Sequence, residues 1–100
     1  MIDFMFLMHT DGREQAAGAE DEAWERYIQG LKHAGHFEGG SAIGAGICVN
    51  KSGLSVAVST HIDGFIKIRA ESWDQARELL AGNPVFEAGG TIEIRELPRT

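Results

Sequence analysis

The sequence predicts an α+β protein of ferredoxin-like βαββαβ order, in which two helices cover one face of an antiparallel sheet and an extra β-hairpin is added. Three observations predict it. Residues 1–9 are apolar apart from Asp3 until they end at His9, the pattern of a central strand covered on both faces. Two stretches, 20–34 and 72–82, carry apolar residues at helical spacing. Strand-like segments flank each of them, so the order is strand, helix, strands, strand, helix, strand.

In the first strand Ile2, Phe4, Phe6 and Met8 point one way, and Met5, Leu7 and His9 the other. The polar, glycine-bearing stretch 10–18 that follows reads as a loop. Over 20–34, Trp24, Ile28 and Leu31 fall at i, i+4 and i+7, and Ala23, Tyr27 and Ala34 widen the stripe. Glu20, Asp21 and Glu22 suit the positive end of the helix dipole, while Lys32 and His33 suit the negative end. Gly35 is the natural stop. Gly39-Gly40 leads into residues 41–46, where small residues allow close backbone approach or a bulge. Residues 47–49 and 54–58 flank Asn50-Lys51-Ser52-Gly53, a four-residue hairpin loop.

Residues 64–69 form the next strand, with Ile66 and Ile68 on its apolar face and Phe65, Lys67 and Arg69 opposite. Ser72, with Gln75 three residues on, is a capping-box start for the second helix. Trp73, Ala76, Leu79 and Leu80 form the buried stripe of that helix. Gly82 ends it, and Pro84 confirms the stop. Residues 85–88 suit one short helical turn, and 91–97 form the last strand with Ile92 and Ile94 inward. A short echo, Phe37-Glu38-Gly39-Gly40 against Phe86-Glu87-Ala88-Gly89-Gly90, relates the exits of the two βα halves.

One hundred residues make one domain, 1–100. A net charge of −6 argues against nucleic acid, which needs a basic face to neutralise phosphates, and against an acidic membrane surface. No apolar run reaches the roughly 20 residues of a membrane span. The start lacks the basic region and small-residue cleavage site of a signal peptide. The single cysteine, Cys48, suits a reducing compartment, and a cytoplasmic location is expected. Two helices on one face leave the other face bare, although the first strand is apolar on both. A second copy packing sheet against sheet in a twofold homodimer resolves this.

The chemistry-bearing residues are few. His33 and His36 are separated by a helix-breaking glycine, and no Cys/His cluster adds further ligands, so no metal site is expected. No phosphate-loop pattern with its lysine is present, and no cofactor is expected. Cys48 has no basic neighbour and sits in an apolar stretch, so it reads as an inert core residue. Trp24 and Trp73 lie on the helical stripes, Trp24 near enough to a helix start to line a pocket. His61 and Asp63 precede a strand within reach of a local hydrogen bond. His9 ends a buried strand beside a loop containing Asp11, a usual place for a working histidine, though a strand-end histidine can equally cap backbone groups.

Taken together these segments resemble the YCII-related, or DGPF-domain, family over essentially the whole chain. The resemblance rests on Phe4-Met5-Phe6-Leu7-Met8-His9, on the helix from Glu22-Ala23-Trp24 to Lys32-His33-Ala34-Gly35, and on Gly39-Gly40. The run from Asp63-Gly64-Phe65 to Ala70-Glu71-Ser72 and the ending from Gly89-Gly90 to Leu97 complete it. It implies a dimeric α/β barrel built from ferredoxin-like protomers. The family branch with a proposed catalytic role is linked to a His-Asp pair. In this chain Trp24 stands at that histidine position and Asn83, just before Pro84, at that aspartate position, and neither side chain transfers a proton. The Asp-Gly-Pro-Phe signature is absent, and the hairpin region is shorter than in many relatives.

Two functions follow as expectations. The first is a small-molecule-binding protein with a cleft between sheet and helix, its candidate ligand-binding residues Trp24, Ser41, Asp63 and Asn83. If it is an enzyme, His9 is the proton-transfer group, oriented by Asp11 or Asp63. The second is a non-catalytic interaction or regulatory module that has lost the His-Asp pair. The resemblance supports it, since relatives occur near or fused to sigma-factor-like regulators.

Overall fold

Strand β1 (Ile2–His9) runs through the middle of a four-stranded antiparallel sheet of order β2-β3-β1-β4. Its neighbours are β3 (Ile62–Ala70) and β4 (Ile92–Glu96), with β2 (Phe37–Ala42) at the edge beyond β3. Helix α1 (Asp21–His33) connects β1 to β2, and helices α2 (Trp73–Glu78) and α3 (Pro84–Glu87) connect β3 to β4. The chain is described by a computed structural model covering residues 1–12, 21–53 and 57–99. Order and pairing are those of a ferredoxin-like α+β fold, as the sequence predicts.

Burial follows the strand alternation. Phe4, Phe6 and Met8 of β1, with Ile66, Ile68 and Ala70 of β3, are buried beneath Tyr27 and Leu31 of α1 and beneath Ala76 and Leu80. Each large apolar side chain taken out of water contributes about 1.5–3 kcal/mol. An exposed ion pair contributes about 0–1 kcal/mol, so this face holds the sheet to its helices.

The opposite face is not covered. Register places Asp3, Met5 and Leu7 beside Arg69, Lys67 and Phe65 on one side, with Arg95 and Glu93 flanking Met5 and Leu7 on the other. Met5 and Leu7 remain half-buried. Arg69 Nε donates to Asp3 Oδ1 at 3.2 Å and lies 3.1 Å from Glu38 Oε1, while Arg99 Nε donates to Asp3 Oδ2 at 3.0 Å. The expectation of cover on both faces is therefore met on one face by the chain itself.

Local signals end each element. Asp21 and Glu22 lie in the first turn of α1, Lys32 and His33 in its last, and Gly35 follows at φ +82°. The predicted start of this helix at Glu20, and most of the loop before it, lie outside the described residues. Ser72 caps α2 by accepting from the Gln75 amide at 3.1 Å. The Gln75 side chain returns to the Glu71 amide at 2.6 Å rather than to the cap residue itself. Gly39, at φ +145°, marks the irregularity in the β2–β3 register. A Cβ on Gly40 would stand 2.6 Å from the Phe65 carbonyl oxygen, so the close backbone approach falls just before the segment 41–46 where the sequence places it.

Three expectations need correction. The hairpin turn is present, with the Gly53 amide donating to the Asn50 carbonyl at 3.1 Å. The described residues beside it form no strand, however, and Ile47 and Val49 are 85% and 80% exposed; residues 54–56 lie outside the description. Cys48 consequently is not a core residue. It is exposed, its thiol 3.7 Å from the Ala57 carbonyl, because the arm carries it away from the sheet. Trp73, placed in the buried stripe by helical spacing, is 46% exposed. It covers the sheet margin instead, edge-on to Phe4 with ring centroids 4.9 Å apart.

Candidate functional site

Helix α1 leans over the β2–β3–β1 part of the sheet and leaves a cleft of about 760 Å³ between them. Its wall includes Met8, Trp24, Ile28, Phe37, Ile66 and Val85, with Gly12, Gly40 and Gly64 adding backbone only. The cleft exists because the most buried residues of α1 are Tyr27 and Leu31. These two seat the helix on the sheet. Trp24 and Ile28, one turn towards the N-terminus, stay half-buried over open space. Trp24 is held edge-on to Tyr27, ring centroids 6.2 Å apart. The Tyr27 hydroxyl donates to the Leu79 carbonyl at 2.7 Å. Burial pushes the Tyr27 phenol up to about 12, with the nearby Asn83 amide opposing the rise, so Tyr27 anchors rather than titrates.

Of the residues predicted for a site, His9, Trp24, Ser41 and Asp63 all lie on this wall. Two do not. Asn83 is fully buried as the N-cap of α3, its Oδ1 accepting from the Val85 and Phe86 amides at 3.0 and 3.1 Å. Asp11 is exposed and clamps the start of β4, accepting from the Thr91 amide at 2.8 Å and from its hydroxyl at 2.6 Å. The Thr91 hydroxyl, then the Thr91 amide, hold the Asp11 carboxyl below its usual range.

The carboxylate paired with His9 is neither Asp11 nor Asp63. His9 Nε2 donates to Glu93 Oε1 at 3.0 Å, while Glu93 Oε2 accepts from Arg95 at 3.0 Å. The His9 bond, then Arg95, lower the Glu93 carboxyl. The His61 ring stands edge-on to His9 at 5.4 Å. Glu93 pairs across from Leu7, so the imidazole turns towards the uncovered sheet face, where β1 ends and cleft and open face meet. A carboxylate that accepts from Nε2–H orients the ring and leaves Nδ1 for proton exchange, an arrangement used in acid–base catalysis. Sequence reasoning missed Glu93. Its signal was its place among Lys67, Arg69 and Arg95 on the mixed face, which reads as interface polarity until register sets it beside His9.

Among the described residues no three His, Cys, Asp or Glu side chains gather as a cation site, and no helix is long and apolar enough to cross a membrane.

Comparison with known proteins adds one finding. The chain resembles the solved structure of 5-chloro-2-hydroxyhydroquinone dehydrochlorinase (TftG) from Burkholderia phenoliruptrix, in complex with 2,5-dihydroxybenzoquinone. The TM-score is 0.61, with 17% identity over 99% of this chain and 96% of that one. The likeness is one of fold. No protein-family model matches the chain, and no curated protein matches it in sequence.

Proposed function

We propose that the protein binds a small molecule in the cleft between α1 and the sheet, as a YCII-like protein of the dimeric α/β-barrel type. The observation that carries this reading is the cleft itself. At about 760 Å³ it falls within the size range of small-molecule sites, and its lining is the usual one, apolar and aromatic with a few polar groups. The structural neighbour is an enzyme whose structure holds a single-ring ligand, which accords with an occupant of that scale. Where acid–base chemistry accompanies binding, His9 is its proton-transfer group and Glu93 its orienting carboxylate. Ser41 and Asp63 are the polar contacts at the β2–β3 side of the cleft.

A thermal-shift screen of small aromatic and aliphatic molecules tests binding, since a ligand that prefers the folded state raises the melting temperature by mass action. Trp24→Ala, checked for folding by circular dichroism, should abolish the shift of any hit. A hit whose shift survives in that variant binds elsewhere, and the reading fails.

The assembly proposed with it is a twofold homodimer through the open sheet face, which buries Met5, Leu7 and Phe65 at its centre. Light scattering at micromolar concentration should give twice the chain mass, and Leu7→Asp should give the monomer. A monomeric wild type ends this part of the proposal.

One observation favours the second reading, a non-catalytic interaction or regulatory module. The two positions that carry the acid–base pair in the resembling family hold Trp24 and Asn83, and Asn83 is a buried helix cap. A module of this kind needs a partner and no ligand, so an empty screen together with a stable complex in pull-down would favour it.

A further inference from the structure

The cleft has a charge character that its apolar lining conceals, and this bears on the class of molecule it takes. The chain has nine lysines and arginines. All but Arg13 lie in described residues, and none of these lines the cleft. Arg69, Arg95 and Arg99 are engaged by Asp3, Glu38 and Glu93 elsewhere. Two carboxylates do line the cleft, Asp21 at its helix end and Asp63 at its sheet end.

Three of its other polar side chains are already engaged. Thr10 donates to the Thr60 carbonyl, Ser41 to the Ala42 carbonyl, and His9 to Glu93. Neither Asp21 nor Asp63 has a side-chain hydrogen bond or ion pair among the described residues. A sphere of this volume is about 11 Å across, somewhat more than the Debye length of about 8 Å at physiological ionic strength, and both carboxylates are exposed, so each acts most strongly on its own end of the cleft. An anion entering here loses water and meets two like charges without a described counter-ion, the costly case for burying charge. A neutral or cationic ring avoids that penalty and finds the Trp24 and Phe37 side chains around it, Lys32 already standing 5.4 Å from the Phe37 ring centroid.

We infer that the cleft takes a flat, largely apolar molecule without negative charge, an aromatic alcohol or amine rather than a carboxylate or phosphate. This rests on the cleft being the ligand site. The experiment uses a matched set, 2-naphthol, 2-naphthylmethylamine, 2-naphthoate and 2-naphthyl phosphate. Their binding is followed by quenching of Trp24 fluorescence in a Trp73→Phe background, which leaves one indole, and by thermal shift.

The expected result is that the alcohol or the amine binds at least tenfold more tightly than both anions, a difference of about 1.4 kcal/mol. In Asp21→Asn/Asp63→Asn that ratio should shrink at least threefold, the anions gaining relative to the alcohol. Anions that bind as tightly as the neutral ring, or a ratio unmoved in the double variant, would overturn the charge inference and leave the cleft as the site. Absence of binding by all four probes would overturn the cleft reading and this inference together.

Discussion

His9 illustrates how one residue's role depends on a partner far along the chain. Its imidazole is hydrogen-bonded to Glu93, 84 positions away, so the pair exists only because β1 and β4 are neighbours. Asn83 is the opposite case. Sequence position marks it as a site residue, yet its Oδ1 holds two amides of α3 and its Nδ2 is buried without a hydrogen-bond partner. Losing an N-cap of this kind costs about 0.5–2 kcal/mol. Asn83→Ala should therefore lower stability by about 1–2 kcal/mol in urea denaturation while leaving any cleft ligand's affinity nearly unchanged. A variant of full stability that loses the ligand would return Asn83 to the site.

At the scale of elements, β2 shows why two adjacent glycines are required where the edge strand meets β3. Gly39 adopts a conformation that side chains rarely take, and Gly40 packs its Cα side against the Phe65 carbonyl and Ile66. A methyl at Gly40 has no room without moving backbone, so Gly40→Ala should cost about 1–3 kcal/mol, read as a lowered midpoint of thermal unfolding. Because this strand forms one wall of the cleft, the same change should also weaken ligand binding. Helix α1 makes a related point. The predicted stripe through Trp24, Ile28 and Leu31 is real, but its seat on the sheet is rotated towards Tyr27, and that rotation opens the cleft.

For the whole molecule, acid should be destabilising. Asp3, Asp11 and Glu93 all have carboxyls lowered in the fold, by Arg99, Thr91 and His9 respectively as the first cause. A depressed folded-state pKa contributes stability that is present above the unfolded value and lost as pH falls through the folded one. The window therefore begins near the ordinary values of 3.8 for aspartate and 4.5 for glutamate and extends below them. Melting temperature should stay level above this window and fall within it. Replacing the three by Asn, Asn and Gln should flatten that fall, and an undiminished fall would assign acid sensitivity to other groups. Two of the three, Asp3 and Glu93, lie on the open sheet face. The variant also tests whether that face's charges contribute to a dimer.

The fold was legible because its signals are short-range. The apolar run of β1, the apolar stripe of α1, the Ser72 cap and the stops at Gly35 and Pro84 each act within a turn or a strand of themselves. A candidate pocket wall at Trp24 was legible for the same reason, from its place near a helix start. Residues 47–49 and the described residues 57 and 58 form none of the strand predicted there, because apolar content alone does not provide a partner to pair with. What the tertiary structure decided are the long-range facts. These are the Glu93 carboxylate on His9, the Thr91 clamp on Asp11, and the cleft that opens beside the Tyr27 seat. Each depends on sheet order and register, which bring together residues that no local pattern connects.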